Sequence, residues 1–460
     1  MSVPVAIEEE KLLSAPLRPT VFYLSLPVLC EQLLNFGVGF VDTWLSGQLS
    51  AEATSAIGFG SYVGWLAWML FSIVSVGTTA LVSRQWGARQ YAEAGRITNS
   101  ALALSLVSGS VIGVIIIGLA WPLSYVLNHD TPGALEPTVD YIRGIALCFP
   151  AFCFITVGSA ALRGAGFMQT PMWVVVIVNI LNVIFSPALV FGWGPVPEMG
   201  INGIVTGTVL AEYIGALVMF LIFLVGRSSL KIQFSQWTVT GEVPRRIIRI
   251  GVPAAWDGIL SWGGQFIFLF IISKLAVGEL GNAIFAAHII GVKLEGISYL
   301  TAAAWGQTAA TMVGQSLGAG DRPRARQSGH EATLQCCLPV IIVSVLFFLG
   351  SEQIYQAMHK DPLVVQAGSG AFRLLAWFQI PLIVSIIYVF ALRGTGETKT
   401  PFWINISGIF LLRIPLAWLF GIYFEGGLIG AWIGMYSDTA YRAVLIYLYY
   451  IWGPWDQKVI

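Results

Sequence analysis

Two carboxylates stand inside an apolar stretch near the start of the chain. They are Glu31 and Asp42 of PVLCEQLLNFGVGFVDTWLSG, residues 27–47. A charged side chain at mid-membrane costs about 2.5–3.5 kcal/mol on insertion scales, so such a group needs a partner or a task. Eleven residues at about 100° each make about three helical turns, which puts both acids on nearly the same face. That face can take up a proton or a cation. Asp42 has no acidic counterpart later in the chain, where the aligned residue is Phe268. A lone carboxylate in apolar surroundings can be neutral at one stage of a cycle and ionised at another, the property proton coupling needs. NILNVIFSP, residues 179–187, supplies polar groups in Asn179, Asn182 and Ser186. Asn182 and Ser186 are four apart and share a face. They either help to hold an ion or form a hydrogen-bonded cluster that joins helices.

A second acid matches the first. Asp257 follows Pro253 by four residues, as Glu31 follows Pro27. The two either line a central cavity and attract a cation, or lie near span ends and are solvated. Each proline frees a backbone carbonyl and can bend its helix. The other charges in apolar segments are Glu212, Lys293, Glu295, Arg413, Asp438 and Arg442. Asp438 and Arg442, at i,i+4, are expected to form an ion pair of structural role. Lys293 and Glu295 are either structural or reach the cavity.

The elements that carry these residues are membrane spans. The chain has 460 residues, 56% hydrophobic and 10% charged, where a soluble protein carries about 25% charged residues. Net charge is zero, so nothing points to nucleic acid. Cys30, Cys148, Cys153, Cys336 and Cys337 lie in apolar segments without a CxxC pattern, and His129, His288, His330 and His359 are scattered. Neither a disulfide framework nor a metal centre is expected. The polar start, residues 1–18, lacks a basic region followed by an apolar core, so no cleavable signal peptide is read there; a short surface helix is one reading of it. Apolar spans are expected at about 20–48, 55–84, 98–124, 138–162, 170–193, 200–226, 247–275, 281–314, 328–350, 364–391, 401–423 and 427–452. The longest polar connection, 227–246, separates an N-lobe (20–226) from a C-lobe (247–452), with tails at 1–19 and 453–460. In this twelve-span order the basic residues, from Lys11 and Arg18 through Arg84, Arg163, Arg227, Arg245, Arg326 and Arg393 to Lys458, fall on one side. Only Lys274 and Lys360 fall in loops on the other. The positive-inside rule then places both termini in the cytoplasm.

The two lobes are repeats. SRQWGARQ (83–90) matches GQSLGAGD (314–321), and ALRGAGFMQTP (161–171) matches ALRGTGETKTP (391–401). Arg143 matches Arg373, and GING (200–203) matches GLIG (427–430). Six spans per lobe give both lobes the same orientation, related by an axis along the membrane normal, with substrate between them. The expected fold class is an all-α integral membrane protein of twelve transmembrane helices in two parallel-repeat six-helix lobes around a central cleft.

Taken together, FVDTWLSG, ALVSRQWGA, ALRGAGFMQTP, SPALVFG, MGINGIVTGTVLA, ATMVGQSLGAGD and ALRGTGETKTP resemble the multidrug and toxic compound extrusion family over about residues 20–450. The resemblance implies two lobes around a cleft and export of organic, often cationic compounds against inward flow of protons or sodium ions. It also implies a cation-coupling site at Asp42, Asn182 and Thr208, which match the family's aspartate of span 1, asparagine of span 5 and threonine of span 6; a sodium ion would sit at these three. Ser186 stands where many prokaryotic members have a second aspartate. One branch carries acids where this chain has Ser261 and Ile383, so that branch's C-lobe sodium site is absent here. With one acid left, a proton is the simpler coupling ion.

The expectation is therefore a secondary active efflux antiporter in a bacterial inner membrane, monomeric, with no cofactor beyond the coupling ion. Cation coupling is expected at Asp42, Asn179, Asn182, Ser186 and Thr208, and a substrate cleft at Glu31, Asp257, Ser261 and Glu295. The rival is a lipid-linked saccharide flippase of the same fold, which would want basic cavity residues. An enzyme would need a catalytic constellation, and the sequence offers none.

Overall fold

A computed structural model describes residues 14–127, 132–194, 196–226 and 230–458. Residues 1–13 with Lys11, residues 128–131 with His129, residue 195, residues 227–229 with Arg227, and residues 459–460 lie outside the description.

The described chain is built of helices. The first lobe holds α1 (Leu17–Leu49), α2 (Ala51–Gly87), α3 (Tyr91–Leu127), α4 (Leu135–Ala146), α5 (Phe149–Gly164), α6 (Gln169–Phe191) and α7 (Ile201–Val225). The second holds α8 (Glu242–Ser273), α9 (Gly278–Gly318), α10 (Arg322–Leu349), α11 (Ser351–Met358), α12 (Pro362–Trp377), α13 (Gln379–Gly394), α14 (Lys399–Ser407), α15 (Ile414–Trp418) and α16 (Gly427–Trp452). Among the described residues nine helices are long and apolar enough to cross a membrane, and the bent pairs α4–α5 and α12–α13 bring the number to eleven. The 26 residues of α16 reach about 39 Å, enough for the twelfth crossing. The ion-paired Asp438 and Arg442, with several Tyr, lower its hydropathy.

The repeat explains the bends. α4 meets α5 at 46° and α12 meets α13 at 54°, at matching places in the two lobes. Pro150 and Pro381 lie in the first turns of α5 and α13, where a missing backbone N–H is tolerated. The repeated ALRGxG motif ends α5 and α13 in one turn: Gly166 and Gly396 adopt φ of +95° and +81°, a region open to glycine and costly for other residues. The eleventh span departs from its counterpart. Between α14 and α15, and again after α15, it winds as π-helix over Gly408–Arg413 and Leu419–Tyr423.

Two compact units emerge. One is Cys30–Ala255; the other joins Met1–Leu29 to Trp256–Ile460. The unit borders thus fall inside α1 and α8, whereas the sequence repeat divides at 227–246. Steric fit accounts for one of these assignments: a methyl on Gly77 or Gly251 would collide with the backbone of Ile247 or Ile73, so the first half of α8 lies tight against α2. In the second unit the core gathers Phe268, Phe372, Tyr355, Trp432 and Tyr436.

The polar connection is tied down. Buried Asn99 donates to the Lys231 carbonyl at 2.9 Å and accepts from the Gln233 backbone N–H at 2.8 Å and the Trp237 indole at 3.1 Å. The last residues are docked as well, with Trp455 buried against Tyr450 and Arg326 bonded to Asp456 at 3.0 Å.

Candidate functional site: membrane-embedded carboxylates and their partners

The polar groups of α6 and α7 meet because the helices touch. In lipid, helices associate through small residues that let backbones approach. Gly203 packs on the backbone of Leu189 and Val190, and Gly207 packs on Ser186, where a Cβ would come within 2.7 Å of the Ser186 Cα. That contact sets Asn182 beside Thr208. The Asn182 amide donates to the Thr208 hydroxyl at 2.9 Å, and Thr208 donates to the Ile204 carbonyl at 3.0 Å. Ser186 donates to the same carbonyl at 3.5 Å.

α1 reaches this neighbourhood through Leu45, which is fully buried with Tyr141, Val190 and Ile204. Asp42 lies one turn before Leu45, half-buried and within electrostatic reach of Tyr141. Its Oδ1 is shielded from solvent and has no hydrogen-bond partner among the described residues. The Asn182 Oδ1 and the Asn179 Nδ2 are in the same condition. Buried polar atoms are ordinarily satisfied, so these three atoms are exceptions within one unit. Of the five residues expected to couple a cation, hydrogen bonds join Asn182 to Thr208, and Ser186 shares their acceptor.

Glu31 and Asp257 are not solvated ends: they are 7% and 3% exposed. Each is held by an arginine. Arg163 donates to both Glu31 oxygens at 2.9 and 3.1 Å. Arg393 donates to Asp257 at 2.6 Å, and the Asn405 amide adds bonds at 2.9 and 3.1 Å. Ser261 is half-buried one turn past Asp257 and belongs to neither pair. Glu295 is half-buried and accepts from the Tyr436 hydroxyl at 3.3 Å. Asp438 forms the expected pair with Arg442 at 2.7 Å and gains a second arginine, Arg413, at 2.8 Å. Arg413 projects from the π-helical stretch and also reaches Gln265 at 3.1 Å.

The embedded carboxylates therefore fall into two groups. Glu31, Asp257 and Asp438 carry arginine partners; Asp42, Glu212 and Glu295 have no ion-pair partner among the described residues. Among the described residues no three His, Cys, Asp or Glu side chains gather as a metal centre. Sequence reasoning missed Arg163 and Arg393 as partners, although both stand in the repeated ALRG motif that it had aligned. It also missed Tyr141, which no motif marks.

Comparison with known proteins identifies the family and the fold. The family model described as MatE matches residues 27–188 and 264–419. The chain is 28% identical over 449 residues to a probable multidrug resistance protein NorM of Thermotoga maritima, covering 96% of this chain and 94% of that one. It is 26% identical over 436 residues to the multidrug resistance protein PmpM of Pseudomonas aeruginosa, covering 92% and 89%. A crystal structure described as MATE in the straight conformation superposes with a TM-score of 0.88 over 97% of this chain and 98% of that one, at 19% identity. The fold is the twelve-span MATE fold, and the chain is a multi-pass membrane transporter, not an enzyme, that belongs to the MatE family.

Proposed function

We propose that the chain is a secondary active multidrug exporter of the bacterial inner membrane, with both termini cytoplasmic, and that Asp42 couples export to proton entry. The observation that carries this reading is the Asp42 carboxylate, shielded, near Tyr141 and without arginine or hydrogen bond on Oδ1. A proton arriving at Asp42 removes a costly charge from an apolar setting. The neutral carboxyl can then donate a hydrogen bond that the carboxylate cannot, for which the free Asn182 Oδ1 is a buried acceptor in the same unit. That change alters how α1 packs against α6 and α7. It drives transport only if the two protonation states differ in affinity for the two conformations.

Sodium is the poorer fit. The Thr208 and Ser186 hydroxyls donate to the Ile204 carbonyl and keep oxygen lone pairs, but a metal ion would find one carboxylate for counter-charge. The cargo proposed is organic and cationic, carried by a monomer. A saccharide flippase is disfavoured because Arg163, Arg393, Arg413 and Arg442 are each bound to a carboxylate and offer no surplus charge to a pyrophosphate.

The test is efflux of a fluorescent organic cation from proteoliposomes, with proton and sodium gradients imposed separately. Proton-driven efflux supports the reading. Efflux driven by sodium alone overturns the coupling assignment, and no efflux under either gradient overturns the cargo.

A further inference from the structure

α1 and α8 share an unusual relation to the two units. α1 leaves one unit and enters the other between Leu29 and Cys30, and α8 does so in the opposite sense between Ala255 and Trp256. In each helix a proline lies two residues before the last residue of the first unit, at Pro27 and Pro253. In each, the second residue after the border is the buried acid, Glu31 or Asp257. Its arginine comes from the unit being entered, at the same position of the repeat: Arg163 is the last residue but one of α5, and Arg393 of α13.

These arginines are mounted on fixed points. Gly164 follows Arg163 and lies against α2, where a Cβ would meet the Ser83 N at 3.2 Å and the Thr79 carbonyl at 3.3 Å. Gly394 follows Arg393 and lies so close to α9 that a Cβ would come within 2.6 Å of the Ala310 Cα. Arg393 also sits 5.8 Å from the centre of the Phe390 ring. A buried acid on the entering helix thus meets a guanidinium mounted beside a tight helix contact, twice, at matched positions.

We propose that Glu31–Arg163 and Asp257–Arg393 are paired clamps that fasten the outgoing half of each crossing helix to the unit it enters. Glu31, Arg163, Asp257 and Arg393 are then positioning residues for transport. With the segment beyond the border fixed, any bending of α1 or α8 is confined to the proline turn before it. The clamps need not bind ion or cargo. They hold the Asp42 half of α1 in register with α6 and α7.

A buried ion pair can be retained for stability alone, so the test must separate the two roles. Removing one partner leaves an uncompensated buried charge and destabilises for that reason, whereas replacing both with apolar residues of similar size is often neutral or stabilising. The informative variants are the doubles Glu31→Leu/Arg163→Met and Asp257→Leu/Arg393→Met in the full chain, the second carrying Asn405→Leu as well because the Asn405 amide bonds Asp257. Two readouts are needed: ethidium efflux from cells at equal expression, and amide hydrogen exchange of the purified protein. The clamp role expects an unchanged Tm, exchange at least tenfold faster confined to the residues just past the border (30–36 or 257–263), and efflux reduced at least tenfold. Wild-type efflux or wild-type exchange in both doubles overturns the proposal. So does faster exchange spread over the whole unit, or failure of both doubles to fold, since either assigns the pairs to stability alone. The proposal rests on the export reading for its efflux arm; a wild-type protein that exports nothing would sink that reading and leave the exchange pattern to decide the clamp.

Discussion

The Asn182 amide donates to the Thr208 hydroxyl at 2.9 Å, and this bond links α6 to α7 where the side-chain oxygen of the same asparagine is left buried without a hydrogen-bond partner among the described residues. The donor end of the residue is structural and the acceptor end is available. Thr208→Ala removes the partner of the donor end. Interhelical hydrogen bonds in membranes average about 0.6 kcal/mol, so the expected loss of stability is small. A severalfold loss of efflux is expected with little change in Tm. Efflux at the wild-type rate would show that the Asn182 orientation is irrelevant to coupling.

Gly207 is expected to tolerate no side chain. Gly207→Val forces its Cβ onto Ser186 and separates α6 from α7. Overpacking of a close contact costs about 1–3 kcal/mol. Thermal melting of the purified variant checks this, with a lowered Tm expected and an unchanged Tm contradicting the close approach.

Asn99 fastens the connection between the repeats with three bonds and is 2% exposed. Asn99→Ala leaves the Gln233 N–H and the Trp237 indole without their acceptor, at about 1–3 kcal/mol for each group that stays buried. Limited proteolysis is expected to cut the variant within 230–240 faster than the wild type. Equal cutting would mean that the connection holds itself.

The docked C-terminal residues should respond to acid. Glu397, in the turn between α13 and α14, accepts from the Lys458 ammonium at 2.9 Å and the Thr400 N–H at 3.0 Å. Burial acts to raise its pKa, but these two partners outweigh burial and hold it below the ordinary 4.5. A carboxylate depressed in the folded state contributes stability that is present above its unfolded pKa and is lost as pH falls through the folded one. Release of the C-terminus to a carboxypeptidase is therefore expected to be slow above pH 4.5 and to quicken below it. Glu397→Gln should be fast throughout, and a flat wild-type profile would remove the role given to this pair.

Much of this molecule is legible in its sequence because a membrane leaves few options. Apolar length and basic-residue placement give the twelve spans, and the match of ALRGAGFMQTP to ALRGTGETKTP gives the repeat. The i,i+4 pair of Asp438 and Arg442 follows from helix geometry alone. What the sequence hides is long-range pairing. Glu31 and Arg163 are separated by 132 residues, and nothing local distinguishes a paired acid from a free one. The repeat held the signal, since acid and arginine recur together, but alignment shows recurrence without contact. The unit borders inside α1 and α8 are hidden for the same reason: a continuous helix carries no mark of which neighbours each half touches.

The central claim is that Asp42 is the proton-coupling group, and the most direct measurement is dye efflux from proteoliposomes by wild type and Asp42→Asn. A proton gradient is imposed without sodium. The asparagine keeps the shape of the side chain and cannot exchange a proton in this range. Efflux in the wild type and its loss in the variant, with unchanged Tm, is the expected result. Undiminished proton-driven efflux by Asp42→Asn would contradict the account and move coupling to Glu212 or Glu295, the other embedded carboxylates without an arginine.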